Sequence, residues 1–130
     1  MSVPRRIMAF IELAAQDVDA AETLATTQNR YSAYHCQQAI EKLAKALLLQ
    51  RGIEAGTEHR LDVLFDRIPE DDPWSARLRS LDKYTPFATT FRYPTPGGRI
   101  PAALDPAEVL ADVVRIRQLV SMARKELVEK

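Results

Sequence analysis

Six side chains in one stretch of the chain are of the kinds that hold phosphates and move protons: Tyr34, His35, Gln38, Glu41, Lys42 and Lys45. Read as a helix, Tyr34, Gln38, Glu41, Lys45 and Leu48 fall at four- and three-residue steps, so they share one side. Glu41 precedes Lys45 by one helical turn, the favourable order for an ion pair. On an exposed surface that pair is worth about 0.3–0.5 kcal/mol. Three outlying groups extend the set: Asp17, the dipeptide Glu58-His59, and Arg92-Tyr93-Pro94. A guanidinium such as that of Arg92 suits flat, two-pronged contact with carboxylate or phosphate. Histidine is the side chain that exchanges protons near neutral pH. Asp17 sits at the border of an apolar seam and needs a partner there.

The stretch Tyr31-Ser-Ala-Tyr-His-Cys-Gln-Gln-Ala-Ile-Glu-Lys-Leu-Ala-Lys-Ala-Leu-Leu-Leu49 resembles the HEPN pattern (higher eukaryotes and prokaryotes nucleotide-binding): an aromatic or His, then Gln, then Ala-x-Glu-Lys-x-x-Lys-x-Leu-Leu. Upstream, Leu13-Ala-Ala-Gln-Asp17 is similar to the family's first-helix element. Downstream, Glu58-His59 with Leu61 and Leu64, then Phe91-Arg92-Tyr93-Pro94, follow in the family's order. Each motif alone is weak, and four in the right order are fairly specific. The resemblance implies an all-α, up-and-down bundle of four to five helices acting as a homodimer. It implies a nucleotide- or RNA-binding component of a toxin–antitoxin-like pair with a small nucleotidyltransferase, and no cofactor. The implied groove residues are Asp17, Gln38, Glu41, Lys42, Lys45, His59, Arg92 and Tyr93, with Glu41 or Asp17 receiving an arginine such as Arg92.

The alternative reading is a metal-independent endoribonuclease. Active members resemble one another in an Arg followed, roughly four to six residues later, by His, late in the bundle. Arginine would hold the scissile phosphate while histidine handles protons for 2′-OH attack. Arg92 is followed by no histidine in that window, which leaves Arg30 and His35 as the one match to the spacing, in a chain with 13 arginines. Five helical positions would set those two about 140° apart, a poor geometry for one site. Arg92 with His59, brought together by folding, is the other pairing to consider. A structural adaptor is the third reading.

Other chemistries find little support. Two histidines and the single Cys36 have no metal-ligand spacing. Pro96-Gly97-Gly98-Arg99 lacks the strand-to-helix setting of a phosphate loop and reads as a turn. Hydrolase nucleophile motifs are absent. Eighteen basic and eighteen acidic residues cancel, so stable binding to duplex DNA is not expected. Thirteen of the eighteen basic residues are arginine, a bias towards planar contacts with anions. One cysteine suits a reducing cytoplasm, and apolar runs are too short for a membrane span. Arg5-Arg6 precede an apolar stretch, but Glu12 interrupts it, so no signal peptide is expected.

The elements that must position these groups are helical, in one domain over residues 1–130. A first helix over Pro4 to Ala25, capped by Ser2, carries the seam Ile7, Ile11, Ala14, Val18, Ala21, Ala25. A second runs from Asn29–Ser32 to Gly52, with Cys36, Ala39, Leu43, Ala46 and Leu47 as its core stripe. Its second, mixed stripe predicts cover on more than one side. A short helix over Glu58 to Ile68 follows, then one opening at Asp72-Pro73 that bears Trp74, Leu78, Leu81 and Tyr84 until Pro86 kinks or ends it. Tyr84, Phe87, Phe91 and Tyr93 would complete the core or serve a dimer contact. The last helix starts at Asp105-Pro106 and carries Val109, Val113, Ile116, Val120, Ala123 and Leu127.

Overall fold

The computed structural model describes residues 2–89 and 92–128, and among them there is no strand. Helix α1 spans Val3–Thr26. Ser2 caps it, its Oγ accepting the Arg5 amide at 3.2 Å, and Pro4 occupies the first turn, where its missing N–H costs nothing. All six seam residues of α1 are buried, from Ile7 to Ala25. Fully burying a side chain the size of Ile11 or Val18 contributes about 1.5–3 kcal/mol. The helix ends as Gln28 turns to φ 58° and the Asn29 amide reaches back to the Leu24 carbonyl at 2.7 Å.

Helix α2, Ser32–Gln50, packs chiefly on α1 and forms the centre of the bundle. Its expected core stripe is buried throughout, from Cys36 to Leu47. Gly52, at φ 74°, closes it: the Ile53 amide donates to the Leu48 carbonyl at 2.8 Å. Leu48, placed by spacing on the mixed stripe, is fully buried as well.

The short elements depart from expectation. Helix α3 is only Leu61–Asp66, because the carboxylate of Glu58 takes the amides of His59 and Arg60 and holds that stretch as a turn. Helix α4 starts as expected at Asp72-Pro73 but stops at Arg79. The Ser80 hydroxyl donates to the Arg77 carbonyl, and the chain restarts as a 3₁₀ segment over Asp82–Ala88. Pro86 is accommodated inside that segment, and Tyr84 and Phe87 enter the core from it. Phe91 lies outside the described residues, and Tyr93 is 62% exposed, so it is not a core residue.

Helix α5, Pro106–Ala123, is capped by Asp105 and lies along α1 and α2, ending in a π-helical turn over Arg124–Val128. Arg117 bridges to Asp19 and Glu22, and Arg124 to Glu12, so one side of α1 is laced to α5. Exposed pairs of this kind contribute under about 1 kcal/mol each and mainly fix register. No helix among the described residues is long and apolar enough to cross a membrane.

Candidate functional site

The flank of α2 opposite its core stripe is half-covered by three neighbours, as the second stripe implied. Helix α1 supplies Asp17, the loop before α3 supplies His59, and the segment after the 3₁₀ turn supplies Arg92. Two carboxylates organise the cations there, each with a histidine and a lysine.

Asp17 sits between His35 and Lys42. Its Oδ1 lies 3.2 Å from His35 Nδ1, and its Oδ2 accepts from Lys42 Nζ. The apolar border on which Asp17 stands therefore has its compensation, from α2 rather than from an arginine. In a neutral imidazole, a carboxylate on Nδ1 favours the proton there and leaves the lone pair on Nε2. The His35 side chain is 30% exposed.

Glu41 is buried and fully engaged. Its Oε1 accepts from Gln37 Nε2 at 3.1 Å, and its Oε2 meets His59 Nδ1 at 3.0 Å and Lys45 Nζ at 3.2 Å. Gln37, itself fully buried, also donates to the His59 carbonyl at 3.0 Å and accepts from Gln38 at 2.7 Å. This cluster ties the loop before α3 to α2. The Glu41–Lys45 pair is thus a buried structural contact rather than a solvated surface pair.

Arg92 goes to neither carboxylate. Its guanidinium stacks on the ring of Tyr34 at 4.7 Å and stands 5.9 Å from the ring of Tyr93. Its Nε is buried with no hydrogen-bond partner, and among the described residues the guanidinium has no carboxylate. The Tyr34 ring also meets the His35 ring edge-on, with centroids 5.2 Å apart. Arg92, Tyr34, His35, Asp17 and Lys42 therefore form one connected cluster. His59 belongs instead to the Glu41 cluster, so the pairing of Arg92 with His59 is not the one the fold makes. Arg30 is not helical, and it donates to the Pro101 carbonyl at 2.7 Å, anchoring the 92–101 segment.

Spacing alone missed Gln37 and the role of Tyr34. Tyr34 lies on the mixed stripe, but nothing local shows that it carries Arg92. Gln37 precedes Glu41 by four residues, a spacing that signals a helical hydrogen bond.

A second polar cluster lies under the 3₁₀ segment. Tyr84 donates to Asp112 at 2.6 Å, and Lys83 pairs with Asp112 and Glu108. Burial pushes the Cys36 thiol up to about 12, a rise that its hydrogen bond with Tyr84 partly opposes. Burial, then the neighbouring Cys36, likewise pushes Tyr84 above its ordinary value. A thiol held protonated in this way is no nucleophile. Among the described residues no group of three or more His, Cys, Asp or Glu side chains is placed to hold a metal ion.

One family model spans all of these elements. The HEPN domain model matches residues 7–125. The chain belongs to the HEPN domain family. No curated protein and no solved structure matches it. Within this HEPN domain the match runs from the first seam residue of α1 into the final turn, so it takes in both carboxylate clusters and Arg92.

Proposed function

We propose that this HEPN domain is a dimeric nucleotide- or RNA-binding component of a toxin–antitoxin-like pair with a small nucleotidyltransferase. One observation carries the reading: a guanidinium stacked on Tyr34 that has no carboxylate among the described residues, where most other arginines at contacts have one. Such an arginine is flat, oriented and uncompensated, the state that favours a phosphate. The Tyr34 ring under it also meets His35, which shares Asp17 with Lys42, and the exposed ring of Tyr93 offers a face for a base. The nucleotidyltransferase pairing is supported by family membership alone.

Fluorescence anisotropy with a labelled single-stranded RNA, and competition by ATP and AMP, tests the binding. Arg92→Ala is expected to weaken binding by at least tenfold with the helical content unchanged. Arg92→Lys is expected to restore little, because an ammonium cannot reproduce the planar stack. Equal affinity of wild type and Arg92→Ala for every probe would overturn the reading.

A second reading, a metal-independent endoribonuclease, gains from the Asp17–His35 contact. A histidine with Nδ1 held by a carboxylate and Nε2 free is oriented as a general base for a 2′-OH, and Arg92 is in the same cluster. Growth arrest on expression that His35→Ala abolishes, with RNA binding retained, distinguishes this reading from binding alone.

A further inference from the structure

Arg92 does not hold itself in place. Its stack on Tyr34 is favourable, but its buried Nε has no hydrogen-bond partner among the described residues. An unpaired buried N–H costs about as much as such a stack gains. Residues 93–101 that follow are irregular, so contacts further along must keep the arginine where it is.

That segment is a stiff loop. The Thr95 amide donates to the Arg99 carbonyl at 2.8 Å, the Gly98 amide to the Thr95 carbonyl at 2.8 Å, and the Arg99 amide to Thr95 Oγ1 at 3.0 Å. Gly98, at φ 79°, allows the reversal. Pro94, Pro96 and Pro101 each remove a soft backbone torsion. The two legs of the loop are thereby coupled, and a displacement at Pro101 is carried through to Arg92.

Both legs come down at the start of α2. The near leg lays Arg92 on Tyr34, and the far leg presents the Pro101 carbonyl to Arg30 Nη2 at 2.7 Å. Arg30 stands in a turn that is itself fixed. The Asn29 amide donates to the Leu24 carbonyl at 2.7 Å, and Asn29 Oδ1 accepts the Tyr31 amide at 2.9 Å. The far leg is therefore tied, through Arg30, to the end of α1 as well as to α2.

We infer that Arg30 is a positioning residue for Arg92: by holding the Pro101 carbonyl it seats the loop, and the seated loop keeps the Arg92 guanidinium on the Tyr34 ring, oriented for a phosphate. Arg30 acts through the loop and not by touching the ligand. The consequence for ligand affinity rests on the binding reading proposed above, whereas the placement of Arg92 is testable without any ligand.

Arg30→Met removes the donor and keeps an apolar stem, while Arg30→Lys keeps a donor for Pro101. The first measurement is the proton chemical shift of the Arg92 side chain, which the Tyr34 ring current displaces in the wild type, with Tyr34→Leu as the reference for a lost stack. Arg30→Met is expected to remove most of that displacement, and Arg30→Lys to retain most of it. The second measurement is affinity for the labelled single-stranded RNA. Arg30→Met is expected to weaken it about threefold to tenfold, bounded by the loss in Arg92→Ala because orientation cannot be worth more than the side chain oriented. Added to Arg92→Ala, it is expected to weaken binding no further. The loop lies outside the buried core, so the melting temperature is expected to change little. Arg30→Gln, a milder loss of reach, gives the same two readings where Arg30→Met does not fold. An Arg92 shift that the loss of Arg30 leaves unchanged overturns the inference. So does an affinity loss equally large in the Arg92→Ala background, which would make Arg30 a ligand contact. If Arg92→Ala binds RNA as the wild type does, the binding reading falls, and the Arg92 shift alone decides the positioning.

Discussion

Glu41 and Lys45 give the sharpest energetic prediction, because surface and buried readings of the pair differ several-fold. The Lys45 side chain is 11% exposed and that of Glu41 8%, with Nζ 3.2 Å from Oε2. At that distance, an effective dielectric constant of about 20 gives about 5 kcal/mol of gross attraction, opposed by desolvation of both ions. Glu41→Leu strands the ammonium of Lys45 and one donor of His59, while Gln37 keeps the His59 carbonyl. Removing one partner of such a pair costs about 3 kcal/mol. In a domain of this size that is a fall of about 10 °C in melting temperature. Replacing both, Glu41→Leu with Lys45→Met, leaves no orphaned charge and is expected to recover most of the loss. The coupling from the double-mutant cycle should therefore be about 2 kcal/mol or more. The companion cycle with His59→Ala should give under about 1 kcal/mol, since that side chain is 64% exposed. Urea unfolding followed by circular dichroism measures both. Single substitutions that each cost under about 0.5 kcal/mol and simply add would show that the pair behaves as a solvated surface contact, and the argument from burial would be wrong.

Asp72 both caps α4 and receives Arg51 at 2.7 Å, so Asp72→Ala should cost about 1–3 kcal/mol in urea unfolding, and Asp72→Asn less because it keeps a cap. The hydrogen bond from Arg51, foremost, holds the Asp72 carboxyl below its ordinary value, so its contribution is complete above pH about 4 and fades as pH falls through the lower folded value. The stability gap between wild type and Asp72→Asn should accordingly narrow between neutral pH and pH about 2–3. A constant gap would argue against the ion pair. Gly52→Ala should cost about 1 kcal/mol, because the backbone at φ 74° resists a Cβ although no atom crowds it. No change in its unfolding midpoint would contradict that. Cys36 should resist a disulfide reagent at pH 8 in the native protein and react fully in denaturant. Rapid native labelling would mean that the core around Tyr84 opens readily.

The sequence by itself determined the long helices and their inward faces. The seam from Ile7 to Ala25 and the stripe from Cys36 to Leu47 are legible because helical period is a local property: which residues share a side depends on no distant contact. Ser2, Asp72 and Asp105 were legible as caps for the same reason, each being read from itself and the residues just after it. The short elements were less so, because whether Glu58 caps a turn or joins a helix, and whether Ser80 ends one, depends on side-chain hydrogen bonds that compete with the backbone. The site was half legible. Spacing placed Gln38, Glu41 and Lys45 on one flank, but not the groups from other elements that meet α2. Only tertiary structure decided that Asp17 takes His35 and Lys42, that Glu41 takes His59, and that Arg92 lies on Tyr34. These pairings are set by how α1, the loop before α3 and the segment after the 3₁₀ turn lie against α2, and that follows from packing between elements rather than from the period within any one of them.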